Sequence, residues 1–233
     1  MGDVPDDVKI SATFVTEDSY AFRTPSNILI SAATQCGKSV FLRDILLHKN
    51  GLFLNAPNKC VFYYKVWQTI YDDIRQHFEG KVVFLNIFKA KSIEKLEHCF
   101  VVFDDFLSDL NKEFLDIFLV SSHQKKLTVI FLSQSLYYDN MLKIIRRNSH
   151  YYIFLSQLDA SSVYRLMAND ITGKALSKFR YAFEYIMNET LYTHIIYDRN
   201  PATKTSLRMK YDILSYQKNK SLNYIYKVFD VYD

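Results

Sequence analysis

"SAATQCGKS", residues 31–39, is the stretch on which the fold turns. Gly37, Lys38 and Ser39 stand where a phosphate-binding loop of the form G-x-x-x-x-G-K-[ST] carries its last three residues, and Ala32 takes the place of its first glycine. The apolar run NILISA (27–32) leads into the loop, and the amphipathic stretch KSVFLRDILLHKN opens at Lys38. Strand, loop and helix in that order bring loop amides and a positive helix N-terminus to one point, which is what a triphosphate requires. The expected ATP-binding residues are therefore Ala32, Ala33, Thr34, Gln35, Cys36, Gly37, Lys38 and Ser39. Lys38 is expected at the β- and γ-phosphates and the Ser39 hydroxyl on Mg²⁺. If the backbone at Ala32 needs a positive φ, its Cβ costs about 1–2 kcal/mol. A GKS tripeptide at an ordinary helix start is the alternative reading of the same residues.

Further along, apolar runs rich in β-branched and aromatic residues recur: CVFYYKV (60–66), KVVFLNI (81–87), CFVVFDD (99–105), LTVIFLS (127–133), HYYIFLS (150–156) and THIIYD (193–198). Continuous rather than alternating apolar residues predict strands buried on both faces. Helix-like segments separate most of them, among them EFLDIFLVSSHQ and DASSVYRLMAND, the latter ending near Gly173. This alternation predicts an α/β fold of crossover units with a mainly parallel central sheet flanked by helices. Residues 1–25 and 201–233 fit the rhythm poorly and are expected to be N- and C-terminal extensions of a core spanning 26–200, the tail packing on a neighbour.

Composition bounds the function classes. With 233 residues and 49% apolar content, the chain can bury one large core. The net charge of +4, from 29 Lys and Arg against 25 Asp and Glu, permits contact with nucleic acid without requiring it. Cys36, Cys60 and Cys99 form no C-x-x-C pair, which argues against a disulfide framework and for a reducing compartment. MGDVPDDVKI lacks the basic flank and apolar core of a signal peptide, and no apolar run is long enough to span a membrane. An intracellular protein is expected.

The acidic pair Asp104–Asp105 ends the apolar run FVVF, where two carboxylates would be costly without a cation or a solvent-filled cleft to receive them. Asp104 is expected to hold Mg²⁺, as an acid ending such a strand does in P-loop NTPases, and Asp105 to polarise the attacking water. LTVIFLSQS ends in Ser133, Gln134 and Ser135. Gln134 could sense the γ-phosphate or position the water, or it could be a solvated neighbour of a helix-capping serine. In MLKIIRRNSHYYIFL, Arg146 and Arg147 precede a strand, as an arginine finger or as a solvated basic face. His48, His77, His98, His150 and His194 lack metal-ligand spacing.

These motifs, with YKVWQTIY (64–71), FLVSSHQKKLTVIFLSQSLY (118–137) and RRNSHYYIFL, resemble the genome-packaging ATPases of the FtsK/HerA superfamily. The resemblance spans residues 25–200 and is nearest to the type carried by Polinton/Maverick elements, adintoviruses and virophages, with poxvirus-type ATPases as relatives. Trp67, Gln68 and Tyr71 match the W-Q-x-x-Y pattern of that group, and Ser122–His123 its S-H spacing to a Gln-containing strand end. The departures are Ala32 for Gly, Ser133 for Thr and Gln124 where a second His is common.

The resemblance implies a RecA-like P-loop NTPase of the additional-strand type: an Mg-dependent ATPase that assembles as a homo-oligomeric ring and drives double-stranded DNA into a capsid. It further implies a capsid or portal-vertex partner and nucleotide sites shared between subunits. Arg147 is then the residue expected to act in trans, with Arg146 in reserve; Trp67 and Gln68 either brace a loop or contact DNA. Two alternatives remain at this level: a P-loop nucleoside or nucleotide kinase, and a catalytically weakened DNA-binding assembly protein of the same fold.

Overall fold

The computed structural model describes residues 10–13, 21–155, 159–188, 193–211, 213–214 and 226–229. Ten strands among them form one sheet, in the order β1-β10-β9-β8-β7-β2-β6-β5-β3-β4. They are β1 Ile10–Thr13, β2 Ser26–Ser31, β3 Lys59–Tyr63, β4 Val82–Leu85, β5 Cys99–Phe103, β6 Thr128–Ser133, β7 Tyr151–Leu155, β8 His194–Asp198, β9 Met209–Tyr211 and β10 Tyr226–Phe229. From β7 to β4 every pairing is parallel, while β8, β9, β10 and β1 add antiparallel pairs on the other side.

The continuous apolar runs give this result because a parallel sheet is covered on both faces and has no side to leave wet. On one face α1 (Lys38–Leu47) and α2 (Ile70–His77) bury Phe41, Leu42, Ile45, Leu46, Tyr71 and Ile74 against Ile28, Ile30, Phe62 and Val102. On the other, α3 (Lys112–Asp116), α4 (Asn140–Arg147), α5 (Ala160–Met167) and α6 (Gly173–Met187) pack on Leu29, Val101, Phe103, Val129 and Phe131.

Two expectations are corrected. β4 is not buried on both faces: it closes one edge of the sheet, and Val83 is 53% exposed. Gly173 does not merely follow a helix; it opens α6, whose Phe179, Ala182, Phe183 and Ile186 recur at helical spacing and are buried. The segment after Asn200, expected as a C-terminal extension, supplies β9, which pairs with β8 and sets Lys210 beside Asp198 at 2.9 Å, both buried. The rest of the tail, including its expected packing on a neighbour, lies largely outside the described residues.

The arrangement fixes where chemistry can occur. β2, β6 and β5 run parallel with Ser31 opposite Ser133 and Phe103 opposite Phe131, so the loops that follow them leave one edge of the sheet together. β6 lies between the strand feeding the glycine loop and the strand ending in Asp104. The chain also steps to opposite sides of β2 when forming β6 and β7, and such a reversal opens a crevice at the strand C-termini.

Candidate nucleotide-binding site

The loop after β2 turns through two left-handed residues, Gln35 (φ 61°) and Gly37 (φ 79°), before α1 begins. Alternating backbone handedness of this kind turns successive N–H groups into one concavity, an anion nest. Gly37 is the position where a side chain would be strained, which is why the loop needs glycine there. No side chain caps α1, so the N–H groups of its first turn are left for a ligand.

Ala32 is not among the residues with positive φ. The expected backbone strain is therefore absent, because the left-handed turns fall later in the loop. Its N–H donates to the Ser133 carbonyl at 3.2 Å, and its methyl is fully buried in the α1 face of the core. Ala32→Gly is accordingly expected to lower stability by about 1–2 kcal/mol, through the lost methyl burial and a freer unfolded backbone. Urea denaturation checks this; an unchanged or raised midpoint would contradict it.

Lys38 Nζ folds back over the loop, donating to the carbonyls of Ala32 (3.0 Å) and Ala33 (2.8 Å). Burial pulls its pKa down, and the nearby Asp104 and Asp105 carboxylates offset part of that shift. The Ser39 hydroxyl donates to Asp104 Oδ2 at 3.0 Å, and the Tyr71 hydroxyl donates to the same oxygen at 2.8 Å. Asp104 is buried, which raises its pKa, while the hydrogen bonds from Tyr71 and Ser39 act in the opposite sense.

Asp105 is exposed and holds a left-handed backbone (φ 64°), a conformation that aspartate tolerates better than most residues. Gln134 stands between it and the loop: its Nε2 donates to Asp105 Oδ1 at 3.3 Å, and its Oε1 accepts from the Thr34 hydroxyl at 3.1 Å. Lys38, Asp104, Asp105 and Gln134 line one cleft of about 420 Å³, together with Lys65, Asp109 and Tyr138. Lys65 is paired with Asp109 at 2.6 Å and lies over the Phe106 ring.

The fold brings Lys38, Ser39, Asp104, Asp105 and Gln134 together at this cleft. Arg146 and Arg147 lie elsewhere, at the C-terminal end of α4, and do not line this cleft. Arg147 is exposed and Arg146 buried. Arg199 holds that helix end, donating to the carbonyls of Arg146, Arg147 and Ser149 at 3.3, 3.2 and 2.7 Å. A cation on the last carbonyls of a helix satisfies groups that have no intrahelical donor.

The Tyr71–Asp104 bond joins residues 33 apart in the chain, a separation that leaves no local pattern in the sequence. Trp67 packs edge-on against Tyr64, Tyr71 and Phe84 under the Arg75 guanidinium, so it braces the start of α2, which carries Tyr71. Gln68 is exposed beside it.

Two oxygen groups, the Ser39 hydroxyl and the Asp104 carboxylate, meet at the loop, and Lys38 lines the same cleft. Hard oxygen donors of this sort suit Mg²⁺, which binds through one or two protein groups plus phosphate oxygens and water. Among the described residues no group of three or more His, Cys, Asp or Glu side chains forms a metal cage.

No family model matches the chain, and no curated protein matches it. Its fold is similar to that of solved structures. The genome packaging NTPase B204 from Sulfolobus turreted icosahedral virus 2, in complex with sulfate, superposes with a TM-score of 0.52 at 14% identity, over 80% of this chain and 94% of that one. The same protein in complex with AMPPCP gives 0.51 at 14% identity, over 80% and 96%. The DNA-packaging ATPase B204 from Sulfolobus turreted icosahedral virus gives 0.53 at 11% identity, over 80% and 96%. At such identity the likeness establishes the α/β fold with its mainly parallel sheet. No described helix is long and apolar enough to cross a membrane.

Proposed function

We propose that this chain binds Mg-ATP in the cleft at the C-terminal edge of its sheet, hydrolyses it, and as an assembled ring uses that energy to move double-stranded DNA into a capsid. One observation carries the nucleotide reading: Lys38, the Ser39–Asp104 pair and the Thr34–Gln134–Asp105 chain converge on one cleft at a helix N-terminus. The motor reading rests on the sequence motifs and on the fold shared with packaging NTPases, one of which was solved with AMPPCP.

In this reading Lys38 exchanges the carbonyls of Ala32 and Ala33 for the β- and γ-phosphates. Ser39 and Asp104 would hold Mg²⁺, which when bound neutralises charge on the phosphoryl oxygens. Tyr71 keeps the Asp104 carboxylate facing Ser39. Gln134 orients a water, Asp105 accepts its proton as the oxygen attacks the γ-phosphorus, and the bond to the β-phosphate oxygen breaks. Arg147, presented from the neighbouring subunit, stabilises the charge that develops on the transferred phosphoryl group, with Arg146 next in line.

The first test is Lys38→Ala. Losing one charge-assisted contact to phosphate, about 1.5–3 kcal/mol, should weaken ATP affinity by about 10- to 100-fold. Isothermal titration would show it. Unchanged affinity in a folded variant removes the P-loop reading.

A further inference from the structure

A second cavity, of about 380 Å³, lies apart from the nucleotide cleft, where the C-terminal end of α4 meets α5 and β7. Lys143, Arg146, Arg147, Arg165 and Arg199 all line it, with Tyr137 among them. Arg146 is only 8% exposed, and its buried Nε has no hydrogen-bond partner. Its guanidinium sits 4.1 Å from the centroid of the Tyr137 ring, and that of Arg165 sits 3.5 Å from the same centroid. One ring therefore carries two cations, a pairing the negative ring face favours but that gives neither guanidinium a hydrogen-bond acceptor.

The carboxylate that lines this cavity does not supply them. Asp170 is already engaged by Arg199, at 2.7 Å through Nε and 3.2 Å through Nη2. Arg199 is in turn committed to the helix-end carbonyls. Among the described residues, no ion pair involves Lys143, Arg146, Arg147 or Arg165. The amide nitrogen of Asn169, also at the cavity, is used on the carbonyls of Arg165 and Leu166. A recessed arginine without an acceptor is a costly arrangement unless an anion completes it.

We propose that this cavity binds a terminal phosphate group, free or carried on a nucleotide, within a single chain. The free groups are guanidinium and ammonium donors with no acceptor capacity, so they select a ligand that only accepts. Planar guanidinium forks match phosphate oxygens in pairs. A terminal phosphate brings three such oxygens and can enter a cavity of this size. The interior phosphates of a duplex are fixed in a continuous backbone and reach a recessed side chain such as Arg146 less readily than an exposed one. The site is separate from the P-loop and needs no neighbouring subunit.

The test uses the full chain with Lys38→Ala, so that the P-loop contributes least and its failure is scored separately. Inorganic phosphate is titrated against chloride at constant ionic strength, following the melting temperature. A rise of about 3–6 °C is expected at a phosphate concentration about tenfold above Kd. Adding Arg165→Gln, an exposed position whose loss should not disturb folding, is expected to abolish the rise; Arg146→Met is expected to do the same if it folds. AMP and adenosine form the second arm. A response to phosphate and AMP supports a monoester site, and a response to phosphate alone supports a free-anion site. No rise, a rise that survives Arg165→Gln, or a response confined to duplex DNA lacking terminal phosphates would each overturn the proposal.

Discussion

Arg147→Ala is expected to lower ATP turnover by about 10³- to 10⁵-fold while leaving ATP affinity near that of the parent chain, the range found when an arginine finger is removed. The geometry motivates the split between turnover and binding. Arg147 is exposed at the end of α4 and does not line the cleft that holds Lys38 and Asp105. Within one chain it has nothing to do for that nucleotide, so binding should be spared. Its backbone is fixed, because Arg199 engages the carbonyls of Arg146 and Arg147 and the cap residue Asp139 accepts from Leu142 N–H at the other end of α4. A side chain on a held helix end is suited to presentation across an interface.

Mixing makes the experiment decisive. Combined with Asp105→Asn chains, the Arg147→Ala chains should regain part of the activity, because some interfaces then pair an intact acid from one subunit with an intact arginine from the other. Neither variant can do this alone. Absence of recovery, in a mixture shown by light scattering to co-assemble, would remove Arg147 from the trans role and move Arg146 and then Lys143 forward.

Asp105→Asn is expected to reduce hydrolysis by about 10²- to 10⁴-fold with Mg-ATP binding retained. Asparagine keeps the size of the side chain and tolerates the left-handed backbone at φ 64°, so the turn after β5 should survive. Its carbonyl oxygen can still accept from Gln134 Nε2, which preserves the link to Thr34. What it cannot do is take a proton from water. Single-turnover hydrolysis beside equilibrium binding separates these effects. If binding is lost instead, Asp105 is the metal residue and the roles of the acidic pair are exchanged.

The alternation of apolar strands with helices was legible because a doubly covered parallel sheet leaves unbroken apolar runs in the chain. β4 broke that inference: an edge strand can carry the same composition, and only its place in the order exposes Val83. α6 escaped notice because Gly173, φ 61°, looks like a stop when read along the chain, although here it starts a helix. At the site, Gly37, Lys38, Ser39 and Asp104 could be named from local pattern, since each sits at a strand end with distinctive neighbours. The strain expected at Ala32 could not be assessed that way, because the motif fixes residue type and not which residue turns left-handed.

By itself, then, the sequence determined the class of fold and a loop ending in Gly37, Lys38 and Ser39 ahead of an acid-tipped strand, because both are carried by short-range pattern: period, loop composition and the residues at strand ends. Tertiary structure alone decided the rest. It inserted β6 between β2 and β5, brought Tyr71 onto Asp104 and Gln134 between Thr34 and Asp105, and separated an exposed Arg147 from a buried Arg146. Each of these depends on residues brought together from distant parts of the chain, or on which side of a helix end faces the core, and strand order and packing fix both.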